Sequence, residues 1–230
     1  MNLHRLPALA ALLLALGSTR AAESPGTRPG GAHDLEKDAP GVAQTFSRAA
    51  TAALAAGQLD EAERDFKKVL LLVPDNIPTT LNLSLIAYRR RDYPAAEALL
   101  RKACRLAPEN GLPWLMLGIL HFERDQLDAA LAALAQAVLY APKDPRAHHF
   151  LGMTVGRKGW YSGAEDELRK ALALDPAFGE AHFNLAVFYL ERKPPAVELA
   201  RRHYENSVDL GGARDSDFEA RLAAPASPPK

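Results

Sequence analysis

Apolar residues recur with a helical period through most of the chain, in paired segments separated by short polar or glycine-containing stretches. Each pair ends at a proline, in the segments LLLVPDN, CRLAPEN, VLYAPKD and LALDPAF, and successive prolines are 34 residues apart. A constant interval of this length predicts a stack of one supersecondary unit. The predicted frames cover residues 43–76, 77–110, 111–144, 145–178 and 179–212.

Equivalent places in the frames, numbered from the first residue of each frame, carry residues of similar size. The residues at the eighth place are all small: Ala50, Ser84, Gly118, Gly152 and Ala186. Those at the twenty-fourth place are all large and apolar: Phe66, Leu100, Leu134 and Leu168. Because small residues let two helix backbones approach and large ones fill the space between them, each frame is predicted to form a helix hairpin.

Prolines and capping residues set the predicted helix ends. A proline lacks the N–H that continues a helix, so the proline near the end of each frame ends the second helix. The following first helix begins at a cap, because Asp144 precedes Pro145 and Asn76 stands two residues before Pro78. The turns inside the hairpins are predicted at Gly57, Arg91, Asp92, Asp125 and Gly159.

These residues resemble the tetratricopeptide repeat, whose pattern combines an aromatic residue, Leu-Gly, Tyr, Ala, Phe, Ala and Pro. The third frame follows it with Trp114, Leu117, Gly118, Ala130, Leu134, Ala137 and Pro142. The resemblance covers residues 43–212 and implies an all-α fold, a right-handed α-solenoid of about five helix hairpins. It also implies a concave groove, lined by the first helix of each hairpin, that binds segments of other proteins.

The fifth frame departs from the pattern. The sequence Lys193-Pro194-Pro195 interrupts it, and the small-aromatic-small signature returns two residues late, so we expect a longer turn there. The late signature residues are Ala200, Tyr204 and Ser207. Beyond it, Ser216 and Glu219 have the spacing of a capping box, which predicts a short capping helix over 213–224 and a disordered tail over 225–230.

The first residues have the pattern of an export signal. Residues 1–22 combine Arg5, an apolar run from Leu6 to Leu16 and a small-residue stretch, which together predict a secretory signal peptide. Residues 23–42 are rich in proline and glycine and are predicted to be a flexible leader. We therefore expect an exported protein without a membrane span after cleavage, located in the periplasm or, as an alternative, outside the cell.

Composition excludes several function classes. The 230 residues include 28 basic and 28 acidic side chains, a balance that gives no attraction for nucleic acid. One cysteine, Cys104, excludes an internal disulfide, and the seven histidines lack partners at metal-ligand spacings. No phosphate-binding loop or nucleophile elbow is present, and few residues lie outside the repeats. We therefore expect a non-catalytic protein with no cofactor and no metal.

The groove implied by the resemblance is predominantly apolar. The fifth, ninth and twelfth places of the first helices are expected to face it. The candidate partner-binding residues are Leu81, Leu85, Tyr88, Leu115, Ile119, Phe122, His149, Met153, Phe183, Val187 and Leu190. Charges of alternating sign at the thirteenth places are expected to form a ladder along the groove edge: Arg89, Glu123, Arg157 and Glu191.

An exposed apolar groove favours a scaffold that binds an apolar or amphipathic segment of a partner protein. On this interpretation, a charged residue at Leu115 would leave thermal stability nearly unchanged. Four alternatives stay open. The groove residues could pack against neighbouring helices, or the leader or a second copy could fill the groove. The protein could instead be a self-associating structural subunit of an envelope or secretion assembly, or an enzyme whose site is assembled from groove residues.

Overall fold

The computed structural model describes residues 39–223, and within that range it contains eleven α-helices and no strand. They are α1 Ala39–Ala55, α2 Leu59–Leu72, α3 Ile77–Arg89, α4 Tyr93–Leu106, α5 Gly111–Glu123, α6 Leu127–Tyr140, α7 Pro145–Arg157, α8 Tyr161–Leu174, α9 Gly179–Glu191, α10 Val197–Asp209 and α11 Ser216–Ala223. This confirms the all-α class. The predicted signal peptide, leader residues 23–38 and residues 224–230 lie outside the described residues. The last four residues of the predicted flexible leader, 39–42, are the first turn of α1, so the leader prediction is wrong there.

Helix pairs joined by short turns make up the fold. In the first four hairpins the turn contains one residue with a left-handed backbone, always at the fifteenth place of the frame. These residues are Gly57 (φ 77°), Arg91 (φ 61°), Asp125 (φ 59°) and Gly159 (φ 82°). Left-handed residues commonly end helices, because their N–H groups reach the free carbonyls of the last turn. The predicted turn positions are therefore confirmed.

Side-chain caps begin several helices. The Asn76 Oδ1 accepts a hydrogen bond from the Thr79 N–H at 2.9 Å, and the Asp144 Oδ1 accepts one from the Arg146 N–H at 2.9 Å. Both predicted caps are confirmed. Each satisfies an N–H group that has no partner inside its own helix.

The capping box predicted at Ser216 is wrong by one residue. Asp215 is the cap of α11, because its Oδ1 accepts hydrogen bonds from the Phe218 N–H at 3.0 Å and the Asp217 N–H at 3.1 Å. Ser216 is already helical, and the Glu219 carboxylate accepts hydrogen bonds from Arg214 and from the Tyr204 hydroxyl instead. Ser216 and Asp215 both have capping chemistry, so sequence spacing alone did not distinguish them.

The chain divides into two compact units, one ending at Leu120 and the other beginning at His121. In the first unit, α1 packs on α2, α2 on α3 and α3 on α4. Its core includes the fully buried side chains of Phe66 and Leu100 at the twenty-fourth place. These two positions therefore have the packing role that their size predicts.

The second unit contains α6 to α11 and shows why the eighth place must be small. Helix α7 packs on α8, and a Cβ atom added at Gly152 would lie 3.1 Å from the Ala164 carbonyl oxygen. Helices α9 and α10 are joined by residues 192–196, a longer connection than the other hairpins have. Tyr204, one of the late signature residues, is buried. Its ring centroid lies 5.0 Å from that of Phe218 on α11, so α11 covers the last hairpin.

None of the helices between Ala39 and Ala223 combines the length and the apolar character that a bilayer span requires.

Candidate functional site

In the first unit, the predicted groove residues are part of the core. Leu85 and Leu115 are each 1% exposed and Ile119 is fully buried. Leu81 and Tyr88 are also buried. The prediction that these five side chains line an open groove is therefore wrong. Helical periodicity identifies the face on which a residue lies, but it does not say whether another part of the chain covers that face.

In the second unit, the predicted groove residues separate into two classes. Met153 and Val187 are buried members of the hydrophobic core, so they are unavailable to a partner. Phe122, Phe183 and Leu190 are half-buried and pack against the same core. We call these three side chains the inner apolar residues. They retain the exposure that the sequence interpretation required.

The close approach of two first helices explains the burial. A Cβ atom added at Gly156, at the twelfth place of α7, would lie 2.2 Å from the ring of Phe188 on α9. No side chain larger than glycine fits at this place without movement of the ring. The inner face of α7 is therefore packed against α9, and Met153 is buried with it.

His149, predicted as an exposed groove histidine, is 3% exposed. Its ring centroid lies 4.8 Å from that of Phe178 and 5.0 Å from that of Phe150. Its Nε2 accepts a hydrogen bond from the Asn184 amide at 2.8 Å, which leaves the proton on Nδ1, where no hydrogen-bond partner is present. Burial lowers the pKa of His149 to about 4, so the side chain is neutral at pH 7.

The predicted ladder of groove-edge charges is replaced by helix-end contacts. Arg157 donates to the Phe122 carbonyl at 3.2 Å and to the Asp125 carboxylate at 2.6 Å. Arg89 of the second frame makes the equivalent contact with the first frame, because it donates to the Leu54 carbonyl at 3.2 Å. Both carbonyls lie in the last turn of a first helix, where a cation is favourable.

The two acidic members of the predicted ladder lie at the ends of first helices. Glu191 at the end of α9 pairs with Arg221 of α11 at 3.3 Å, and Glu123 is the last residue of α5. Three of the thirteenth-place residues therefore connect neighbouring elements of the fold: Arg89, Arg157 and Glu191. A partner protein is not needed to explain these charges.

The fourth place of the first helices has a shared structural role. The indole N–H of Trp114 donates to the Pro108 carbonyl at 2.8 Å. His148 and His182 place Nε2 at 3.0 Å and 3.2 Å from the Pro142 and Pro176 carbonyls, respectively. Each ring therefore ties the start of a first helix to the end of the preceding hairpin. This role agrees with the interpretation of both histidines as packing residues.

The second nitrogen of each histidine also has a partner. His148 Nδ1 lies 2.7 Å from the Glu167 carboxylate. Burial would raise the pKa of Glu167, but hydrogen bonds from Lys170 and His148 outweigh burial and lower it. His182 Nδ1 lies 2.9 Å from His203 Nδ1, so this contact holds a single proton.

Within the described part of the chain, residues 39–223, no group of three His, Cys, Asp or Glu side chains is placed to bind a metal ion. Burial raises the pKa of the Cys104 thiol to about 11, which keeps it protonated at neutral pH. The Cys104 thiol is therefore not a reactive thiolate.

The outer faces of the second helices differ in a way that the sequence interpretation missed. Each second helix has exposed residues at four equivalent places. In α2, α4, α8 and α10 they include arginine or lysine: Asp60, Arg64, Lys67 and Leu71; Pro94, Ala98, Arg101 and Arg105; Ser162, Asp166, Arg169 and Ala173; Glu198, Arg202, Glu205 and Asp209.

In α6 the same places hold Asp128, Ala132, Ala135 and Leu139, all exposed. Leu139 is 64% exposed, and Tyr140 beside it is exposed as well. Apolar residues that remain on the surface of a helix in this way are typical of an interaction face. The signal was present in the sequence, because a comparison of the equivalent outer places among the frames separates α6 from the other helices.

Comparison with known proteins agrees with the repeat geometry. Three models of the tetratricopeptide repeat match residues 47–111, 87–153 and 145–178. The chain is a tetratricopeptide-repeat protein. Proteins with these repeats act as protein-interaction scaffolds. No curated protein sequence matches this tetratricopeptide-repeat chain significantly.

Solved structures share the fold. The chain is similar to pilF of Pseudomonas aeruginosa (TM-score 0.72, 19% identity, 80% of this chain and 84% of that chain). It is similar to residues 41 to the end of MamA from Desulfovibrio magneticus RS-1 (TM-score 0.64, 23% identity, 76% and 97%). It is also similar to YrrB, described as a TPR protein with an unusual peptide-binding site (TM-score 0.61, 22% identity, 82% and 94%).

Proposed function

We propose that this tetratricopeptide-repeat protein is a non-catalytic scaffold that binds an apolar or amphipathic segment of a partner protein through the inner face of its second unit. The observation that carries the proposal is the partial exposure of the inner apolar residues, Phe122, Phe183 and Leu190. Their neighbours Met153 and Val187 are buried in the core. The contact surface is therefore smaller than the sequence pattern predicts.

The inner apolar residues have the chemistry of peptide anchors. The Phe122 and Phe150 rings meet edge-on, with their centroids 6.1 Å apart. The Arg157 guanidinium lies 4.9 Å from the Phe122 centroid. A rigid aromatic ring of this kind loses little conformational entropy when a partner covers its remaining surface. The description of YrrB as a peptide-binding TPR protein supports the same use of the fold here.

The proposal is tested by selecting ligands from a library of random displayed peptides with the purified protein. We expect enriched peptides to contain apolar residues at helical spacing. Their affinity should fall at least about tenfold in Leu190→Gln, the loss expected when one anchor contact worth more than about 1.4 kcal/mol is removed.

The matched control is Leu199→Gln, an exposed leucine on the first turn of α10. It makes the same chemical change away from the inner face, and peptide affinity should stay unchanged. If no peptide is enriched, or if both variants bind equally well, the inner face is not the binding site. Circular dichroism of each variant shows that a lost affinity does not result from unfolding.

We also propose that the protein functions after export, in the periplasm. Support comes from the sequence, where Arg5 precedes the apolar run Leu6 to Leu16 and a small-residue stretch. Amino-terminal sequencing of the protein isolated from its host tests this directly. A mature start between residues 18 and 23 is expected, and a start at residue 1 or 2 in the isolated protein would contradict export.

A further inference from the structure

Helix α6 has an outer face unlike that of the other second helices. Its exposed places hold one charge, Asp128, followed by Ala132, Ala135 and Leu139, whereas α2, α4, α8 and α10 each carry arginine or lysine there. The whole of α6 contains no other charged residue. A helix that is apolar on all sides is normally buried on all sides. The exposed face of α6 is therefore expected to be covered in the functional assembly.

Exposed aromatic residues extend this apolar face at both ends. At its amino end, the Lys158 ammonium lies 2.5 Å from the Asp128 carboxylate and 5.2 Å from the ring centroid of Trp160. These contacts bring Trp160, which is 55% exposed, close to the first turn of α6. At the carboxyl end, Leu139 and Tyr140 are exposed. Tryptophan and tyrosine are the residues most often found as anchors in protein interfaces.

We propose that the outer face of α6 is a self-association surface, on which α6 pairs with α6 of a second copy in antiparallel orientation about a twofold axis near Ala135. A twofold contact uses the same patch on both copies, so the patch must complement itself. The small side chains of Ala132 and Ala135 at its centre let the two helices approach closely.

Charge complementarity supports a second copy as the occupant. Ala135 lies about midway between Asp128 and the exposed Lys143 in the sequence, so antiparallel pairing places Lys143 of each copy near Asp128 of the other, whose side chain stays 92% exposed beside Lys158. The same pairing places Trp160 of one copy near Leu139 and Tyr140 of the other. A parallel pairing would instead bring the two Lys143 side chains together and leave both tryptophans side by side.

The expected association is weak. A standard stable interface buries about 800 Å² on each partner, and a contact centred on one helix and one tryptophan covers less than that. We therefore expect a monomer–dimer equilibrium in the micromolar range. This inference does not depend on the proposed peptide binding, because the inner apolar residues are not part of the outer face of α6.

Sedimentation velocity of the purified full chain over a micromolar concentration series tests the proposal. We expect a concentration-dependent dimer whose dissociation constant rises at least about 30-fold in Leu139→Asp, the loss that an anchor residue produces. The matched control is Leu71→Asp, at the equivalent outer place of α2, where the leucine is 82% exposed. It should leave the dissociation constant unchanged, as should Leu190→Gln.

A charge exchange tests the antiparallel arrangement. Asp128→Lys and Lys143→Asp are each expected to weaken dimerisation severalfold, and the double variant is expected to restore it. A monomer at all concentrations would overturn the proposal, and so would a dimer that persists in Leu139→Asp. Failure of the double exchange to restore dimerisation would overturn the antiparallel arrangement. Because Asp128, Leu139 and Lys143 are exposed, circular dichroism should show all these variants folded.

Discussion

Acidification should destabilise the second unit through His149. The neutral imidazole is buried with a pKa of about 4, against an ordinary value of 6.5. In the unfolded chain the same group takes up a proton as the pH falls below 6.5, whereas in the folded chain it does not until about pH 4. Unfolding is therefore coupled to proton uptake between these values, and stability falls as the pH is lowered through this window.

The magnitude follows from the two pKa values. At about pH 5 the unfolded imidazole is almost fully protonated and the folded one is almost fully neutral. The free energy of unfolding is therefore about 2 kcal/mol lower than at about pH 7.5. Carboxylates in unfolded chains titrate mainly below about pH 4.5, so they contribute little to this window. The figure refers to His149 alone, and the half-buried His203, whose pKa is also lowered to about 4, adds to it.

The assay is urea unfolding followed by circular dichroism at about pH 7.5 and about pH 5, for the unmodified protein and for His149→Gln. The difference in unfolding free energy between the two pH values should be smaller in the variant by about 2 kcal/mol. This comparison does not require the variant to be as stable as the unmodified protein. An equal pH-dependent loss in both proteins would refute the assignment of a buried neutral state to His149.

Three further predictions concern stability. Leu115→Ala should cost about 2–5 kcal/mol because the side chain is buried, whereas Leu71→Ala, at an exposed leucine, should change the unfolding free energy by less than about 0.5 kcal/mol. Equal changes in unfolding free energy for the two variants in urea titrations would show that Leu115 is exposed. Arg157→Gln should cost about 1 kcal/mol, because the carbonyl of Phe122 loses a charged donor; an unchanged urea midpoint would contradict this. Gly159→Ala should cost about 1 kcal/mol through its left-handed backbone alone, since a Cβ atom there meets open space; thermal unfolding checks it, and a stabilised variant would disprove it.

Much of the fold could be predicted because it depends on short-range rules that repeat. The prolines at 34-residue intervals set the hairpin length, and Gly57 and Gly159 mark turns that need a left-handed residue. Arg91 and Asp125 occupy the same turns, and their place in the frame, not their residue type, predicts this. The cap of α11 was misplaced by one residue, because Asp215 and Ser216 are neighbouring residues with the same capping ability.

The candidate site was less predictable, because exposure depends on contacts between hairpins. The place of Met153 in its frame gives its helical face, but only the approach of α9 to Gly156 buries that face. The state of His149 depends on Asn184, which is 35 residues away. By contrast, the apolar outer face of α6 could have been recognised from Ala132, Ala135 and Leu139, because equivalent places in the other helices carry charges.

We propose above that the inner face of the second unit contacts a partner protein. The most direct measurement is photo-crosslinking in the native host, with a photoreactive amino acid placed at Leu190 and, as a control, at Leu199. We expect a crosslinked partner band at Leu190 that is absent at Leu199. Crosslinks of equal intensity at both positions, or none at Leu190, would show that the inner face does not contact a partner.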